Sequence, residues 1–516
     1  MKRLNIYSLC LSALMLCSCG KFLEPRSENE FVAGSVQDLD ELLMYETYYG
    51  GKNKCINPFF DLFTDDAAVV RFKSNENNLM TPVHLASIKA LYTWQPDAFR
   101  ILDDDHLSED TYDIYSGCYS CILGCNAVLD YIDKVSGTAQ EKARVTAEAL
   151  SLRAFYYFHL VNCFGKPYNS DKTSLGVPLH LVSKVSSATI ARNTVEEVYN
   201  QVVKDLIRAE ELYSEVPETW SANMRVSLPF VQLLLSRVYL YMEEWEKASE
   251  YATKVLEDSR FRLMEYTEFP TIPSSPTYTS YMYFHSYTNP EVIWTYGGVS
   301  GMVNFINPYM MDSSKGGKVS FVVASDELRN TYKSPTDIRL TNYFVKDPNS
   351  ASYKAYGKLA VTGNTLDPDN NNRFGRSFRL AEAYLNKAEA EIMLYYEGKG
   401  DNHKAVALEL LSALRSRRIL TPNPDEIDDR TPDRLVNSVR NERRRELCFE
   451  DHRWFDLRRW GMPEIKHLWK GDNSDATVTT YTLRKNDPMY TLQIPACVML
   501  KNDKLIQNDA GGPRND

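Results

Sequence analysis

The sequence predicts a mainly α protein in which pairs of antiparallel helices form a scaffold and a large irregular, loop-rich region with short strands forms one face. Three observations predict it. Between residues 112 and 258, and again between 376 and 460, apolar residues recur at helical spacing. These helices come in pairs. Residues 227–258 divide at Glu243-Glu244 into two halves, with Ala248 and Ala252 small enough for close packing, and a helix over 376–396 is followed by another over 403–418. Residues 260–375, by contrast, are rich in Pro, Ser, Asn and Tyr, with only short alternating runs at 291–296 and 319–323.

In chain order, residues 1–18 read as a signal peptide. Lys2 and Arg3 precede a mostly apolar run over 4–16, too short to span a bilayer comfortably. The run ends in Leu16-Cys17-Ser18-Cys19. A small residue before a cysteine at this point resembles the lipobox of bacterial lipoproteins, which makes Cys19 the lipidated first residue of the mature chain. Cys17 competes for that role but lacks the small residue, and an ordinary cleaved signal is the remaining alternative. Cleavage removes Lys2 and Arg3 and takes the formal charge from −10 to −12. No later run of 18 apolar residues exists, so attachment to a membrane is expected through a palmitate-type lipid. Residues 19–35 form the tether.

A helix follows over 36–49, with Leu39, Leu42, Leu43 and Tyr45 as its apolar set. Residues 50–111 are expected to be loop-rich, holding Asp61, Asp65, Asp66 and Arg71 and a turn at Trp94-Gln95-Pro96-Asp97. Helices are predicted over 112–134, 140–163 and 194–213, the last opened by a capping box of Thr194 and Glu197. The pair at 227–258 resembles a tetratricopeptide unit, and the repeats are divergent and interrupted, so the fold class is a scaffold of tetratricopeptide-like helix pairs. Cys118, Cys121 and Cys125 fall on one helix face, where buried small hydrophobes are expected in preference to metal ligands. Residues 461–516 form an irregular tail.

The densest stretch is 441–461. With Arg440 it carries seven arginines, at 440, 443, 444, 445, 453, 458 and 459, and five carboxylates, Glu442, Glu446, Glu450, Asp451 and Asp456. Glu442 precedes Arg445 by three residues and Glu450 precedes Arg453 by three; Leu447 and Trp454, like Cys448 and Phe455, lie seven apart. This predicts a charge-laced helix with its arginines paired internally and with Trp454 and Trp460 packed. The interleaved carboxylates and the net charge of −10 exclude a nucleic-acid patch.

The composition holds 33 Tyr, more hydroxyls than a core easily satisfies, so some are expected on a wet binding surface. A sugar presents an apolar C–H face and a rim of hydroxyls, which call for flat aromatic rings and paired donors and acceptors. Two stretches supply them. The first combines Asp65, Asp66 and Arg71 with Tyr92 and Trp94; the second combines Tyr278, Tyr281 and Tyr283 with Trp294. Each has a structural alternative: packing for Trp94 and Trp294, a self-packed loop for the tyrosines, a cap or solvated turn for the aspartates. If Trp94 stacks on ligand, Trp94→Ala weakens binding about tenfold or more. Asp103-Asp104-Asp105-His106 is a carboxylate cluster, but a glycosidase needs two carboxyl groups at a defined separation, and adjacent residues in a polar run suit a solvated loop. No metalloprotease, nucleophile-elbow, Walker or Rossmann pattern occurs in supporting context. No catalytic residue, metal or cofactor is expected.

Six stretches, in order along the chain, resemble the SusD/RagB family: CGKFLEPRSENEF from Cys19, YSCILGCNAVLDYID from Tyr119, LRAFYYFHLVNCFGKPYN from Leu152 with GVPL from Gly176, FRLAEAYLNKAEA from Phe378, NERRRELCFEDHRWFDLRRWG from Asn441, and LQIPACVMLKNDKLIQN from Leu492. The resemblance implies a single SusD-like domain over 36–516, anchored to the outer membrane of a member of the Bacteroidota and facing the cell exterior. It implies a binding protein that captures oligosaccharide or polysaccharide and delivers it to a SusC-like TonB-dependent transporter barrel, with the helices toward the barrel and the ligand on the irregular face. A peptide-binding, RagB-like uptake protein is the alternative, and a surface glycoside hydrolase the third reading.

Overall fold

Several helices of this protein are fixed at their first turns. In the computed structural model, Ser35 with Asp38, Thr138 with Glu141 and Thr194 with Glu197 each form a reciprocal capping box. In each, a hydroxyl accepts from a free amide of the first turn and a carboxylate accepts from the cap residue's own amide. The structure describes residues 33–48, 59–70, 81–104, 113–184, 189–216, 224–268, 284–285, 289–298, 309–312, 317–346, 353–354, 358, 374–423, 426–470 and 478–514.

Among the described residues the helices longer than four residues are, in chain order, α1 (Val36–Glu46), α2 (Pro82–Tyr92), α3 (Ala98–Asp104), α4 (Ile114–Tyr131), α5 (Ala139–Phe164), α6 (Val195–Ser214), α7 (Leu228–Met242), α8 (Trp245–Leu256), α9 (Leu380–Tyr396), α10 (Asp401–Ser416), α11 (Pro432–Leu447), α12 (Arg453–Arg459) and α13 (Ala496–Lys501). The scaffold is a continuous stack: α4 packs on α5, α5 on α6, α6 on α7, α7 on α8, α8 on α9, and α9 on both α10 and α11. The link between α7 and α8 is Glu243-Glu244, and Glu243 takes the left-handed conformation (φ 62°) that reverses the chain. Bidentate contacts of Arg237 on α7 with Glu382 on α9, both 2.6 Å, fasten the two halves of the stack.

The strands are β1 (Ala67–Val69), β2 (Val292–Gly298), β3 (Tyr309–Asp312), β4 (Gly317–Ser320), β5 (Val322–Ala324), β6 (Val345–Lys346), β7 (Tyr353–Lys354), β8 (Phe374–Arg379), β9 (Ile465–Lys470) and β10 (Val478–Leu483). Among the described residues they pair as two-stranded antiparallel ribbons: β1 with β5, β2 with β8, β3 with β4, β6 with β7 and β9 with β10. The β2–β8 ribbon joins the irregular region to the helices. Trp294 faces Phe378 across it, and both rings meet Phe155 of α5 and Phe230 of α7, with Phe230 4.7 Å from Phe378 and 4.8 Å from Trp294.

The mainly α scaffold with short strands is what the sequence predicts, and some elements differ: residues 98–104, in the span expected to be loop-rich, form α3. Residues 82–92, expected to be irregular, form α2, started by Thr81 as N-cap and Pro82 in the first turn. Residues 376–379 belong to β8, so the helix expected from 376 begins at Leu380. The charge-laced helix is two helices. Cys448 leaves helical geometry, and Phe449 and Asp451 both adopt positive φ (58° and 63°), turning the chain sharply before α12.

Candidate ligand-binding face

Helix α11 carries a row of buried carboxylates whose partners come mostly from elsewhere in the chain. Glu442 lies 2.7 Å from Arg339, 3.1 Å from Arg415 and 2.6 Å from Arg445. Glu446 takes Arg379 at 3.0 Å and Arg339 and Arg418 at 3.1 Å each. Glu450, in the turn after α11, takes Arg379 at 2.7 Å and Lys358 at 2.5 Å. The Lys358 ammonium also donates to the carbonyl oxygens of Glu446 (2.7 Å) and Cys448 (2.9 Å). A cation from the irregular region thus satisfies carbonyls at the C-terminal end of α11, where the helix dipole favours it. Burial alone would raise these carboxyl groups. The surrounding cations overcome it, holding Glu450 at about 2, through Arg379 and then Lys358, and Glu446 well below the usual carboxylate range.

The acidic turn that follows Phe60–Phe63 is tied to the same helices. Arg453 of α12 grips Asp65 through both oxygens, at 2.8 and 2.7 Å, and Arg444 of α11 reaches Asp66 at 2.7 Å. Arg376 on β8 lies between Asp61 (3.0 Å) and Asp451 (2.9 Å). Two carboxylates share that one guanidinium in a buried site, and burial, with Asp451 and Asp66 adding to it against Arg376, pushes Asp61 up to about 7. Of the two i,i+3 pairs expected near α11, Glu442–Arg445 forms; Glu450 and Arg453 instead take Lys358, Arg379 and Asp65. The arginines are therefore paired across the fold more than internally. Trp454 is buried, and Trp460 is half-buried with its indole N–H donated to Glu389 at 2.8 Å.

This arrangement corrects the aromatic expectations. Trp94 has no exposed surface: it takes positive φ (52°), stacks on His467 with ring centres 4.1 Å apart, and donates its indole N–H to the Phe63 carbonyl at 3.1 Å. A residue in a turn is here folded inward, so neither face of Trp94 can receive a sugar. Tyr92 is buried against the other side of His467, at 4.0 Å, and Trp294 is buried in the β2–β8 cluster. Asp65 and Asp66 are committed to arginines, which makes them fastenings of the face. Arg71, Tyr278, Tyr281, Tyr283 and Cys19 lie outside the described residues, as do the side chains of residues 103–106. The chain that follows the tyrosines enters the protein at the ion network. Phe284 lies under Lys358 and Arg379, 5.3 and 4.9 Å from its ring centre, and His285 meets the Ser377 hydroxyl at 2.9 Å.

Sequence reasoning missed a cleft of about 190 Å³. Its inner walls are Phe59, Phe99, Tyr115 and Phe164; Asp97, Arg100, Asp113 and Gln493 stand among its polar lining residues. The walls come from five separate parts of the chain, and no local motif announces them.

The sequence model of the SusD family matches residues 279–511, and the model described as "Starch-binding associating with outer membrane" matches residues 57–240. SusD-like protein P25 of Formosa agariphila is 23% identical over 99% of both chains, and SusD-like protein P2 of the same organism is 26% identical over 76% of this chain and 79% of its own. Among solved structures, a SusD superfamily protein from Bacteroides thetaiotaomicron superposes with a TM-score of 0.67 at 21% identity, covering 92% of this chain and 100% of that one. A SusD-like carbohydrate binding protein from Bacteroides vulgatus gives 0.63 at 21% identity, covering 92% and 97%. The two family models follow one another along the chain, and the helix stack with its irregular face is the architecture of these neighbours. The chain is a SusD-like protein, a member of the SusD/RagB family.

Proposed function

We propose that this protein is a lipid-anchored, outward-facing outer-membrane protein that captures oligosaccharide or polysaccharide and delivers it to a TonB-dependent transporter barrel, with no covalent step. The observation that carries this reading is the fastening of the irregular face. Lys358, Arg376 and Arg379 bind it to α11 and the turn beyond through buried ion pairs. The segments that hold Arg71 and the three tyrosines adjoin this base at Val70 and Phe284. A rigid base of this kind suits the capture of an extended ligand. Asp65 and Asp66, each held by arginine, are unsuited to a glycosidase's paired acid and base. The starch-binding description of one matching family and the carbohydrate-binding relative from Bacteroides vulgatus favour glycan over peptide.

The test is retention of the purified chain in polysaccharide gels and on a glycan array. Retention by at least one glycan, lost when Tyr278, Tyr281 and Tyr283 are replaced by Ala, supports the reading. Peptides that co-purify, with no glycan retained, replace it by the peptide reading. Delivery is tested separately: deletion of a neighbouring barrel protein leaves ligand binding intact and abolishes growth on that glycan.

A further inference from the structure

The cleft beside α3, α4 and the C-terminal tail is a built feature. Leu492 donates its amide to the Cys163 carbonyl at 2.9 Å. Ile494 and Gln507 exchange two hydrogen bonds, at 2.8 and 2.7 Å. Asn508 ties the Phe164 and Leu492 carbonyls together, at 2.8 and 2.7 Å. The tail is thereby pinned to the C-terminal end of α5, and the cleft lies between it, α3 and the start of α4. A cleft of about 190 Å³ bordered by these pinned segments is room for a small guest.

The chemistry of the walls selects that guest. Phe59 meets Phe99 edge-on with ring centres 5.7 Å apart, and Tyr115 meets Phe164 edge-on at 5.1 Å. Two edge-to-face pairs offer both ring edges and ring faces to a third ring, and Pro96 and Pro495 add flat apolar surface. The polar side carries Asp97 and Asp113 against the single cation Arg100, which is ion-paired to Asp97 at 2.9 Å. The formal charge there is therefore −1, hostile to an anion. Gln493 among the lining residues supplies an amide suited to a neutral hydroxyl. We propose that this cleft is a preformed binding site for one uncharged aromatic ring with a hydroxyl-type polar end, of the size of a phenol. The proposal is independent of the glycan reading.

Cys497 lines the same cleft and is exposed, so its alkylation rate reports occupancy. The experiment titrates the full chain with 4-fluorophenol by fluorine NMR and measures Cys497 alkylation with and without it. Expected are saturable binding with Kd on the order of 1 mM, slowed alkylation of Cys497 at saturation, and at least about tenfold weaker binding of 4-fluorobenzoate and to Ala496→Trp, which sets an indole at the exposed rim. No saturable binding up to about 10 mM overturns the proposal, as does binding that leaves Cys497 alkylation unchanged. Equal affinity for the benzoate, or in Ala496→Trp, overturns it as well. None of these outcomes bears on whether polysaccharide is retained.

Discussion

Arg379 grips Glu450 through both carboxylate oxygens, at 2.7 and 2.8 Å, with each side chain only 1% exposed. The same guanidinium reaches Glu291 at 2.8 Å and Glu446 at 3.0 Å, so one residue of β8 neutralises carboxylates on three segments. Replacing it by Met leaves those carboxylates buried with reduced compensation. Arg379→Met is expected to destabilise the protein by about 3–5 kcal/mol in urea unfolding at pH 7. A loss below about 1 kcal/mol would mean that the network is not what fastens the face.

The burial of Trp94 changes what its removal does. Trp94→Ala is expected to cost about 3–5 kcal/mol of stability through the cavity it leaves beside His467. Glycan affinity of the folded protein is expected to stay within about twofold of the native value. Calorimetry paired with binding at a temperature where both proteins are folded separates the two effects. A tenfold loss of affinity at unchanged stability would restore the stacking role.

Acid sensitivity follows from the buried histidines. Burial drives His159 and His285 down to about 3 and His467 to about 4, the last against the pull of the Tyr92 and Thr64 carbonyls at 2.6 and 2.9 Å. In the unfolded chain they titrate near ~6.5. Below that pH the unfolded state takes up protons that the folded state refuses, so their contribution is fully present above ~6.5 and is lost as pH falls toward 3–4. Asp61, raised to about 7 against ~3.9 unfolded, acts oppositely: it favours folding below ~4 and loses that contribution as pH rises through 7. Burial also holds His452 well below its ordinary value and raises Asp66. With four histidines against two aspartates, the urea midpoint is expected to fall from pH 6.5 to pH 4.5. A midpoint that rises over that interval would show the histidines to be charged in the folded state.

The cysteines give a fourth check. Cys118, Cys121, Cys125, Cys163 and Cys448 are buried, and burial raises the thiols of Cys125 and Cys163 strongly and that of Cys448 to about 11. Cys497 is exposed. Brief alkylation of the native protein followed by peptide mass spectrometry is expected to modify Cys497 and to spare these five. Rapid modification of Cys118, Cys121 or Cys125 would contradict their place in the core of α4.

What could be read from the sequence was local. The capping box of Thr194 and Glu197, the reversal at Glu243-Glu244 and the single-face spacing of the α4 cysteines each involve residues within one turn or one helix pair, and the structure holds them as expected. The binding face was less legible because its fastenings are distant. Asp65 meets Arg453 across 388 residues and Asp66 meets Arg444 across 378, so no spacing rule announces either pair. Trp94 misled for a related reason. A turn signal predicts direction change, and only the positive φ at Trp94 and the position of His467 decide that the ring points inward. The break between α11 and α12 was hidden because residues 448–452 keep the apolar rhythm of a helix, while ion pairs of Glu450 and Asp451 secure a turn.

Capture of glycan on the rigid ion-paired base is tested by electrophoresis in polysaccharide gels. The native chain is compared with a variant carrying Ala at Tyr278, Tyr281 and Tyr283, after urea unfolding has established equal stability. At least one polysaccharide is expected to retard the native chain, and the variant is expected to run as it does without glycan. Equal retardation of both proteins, or no retardation of the native chain by any glycan, would contradict it.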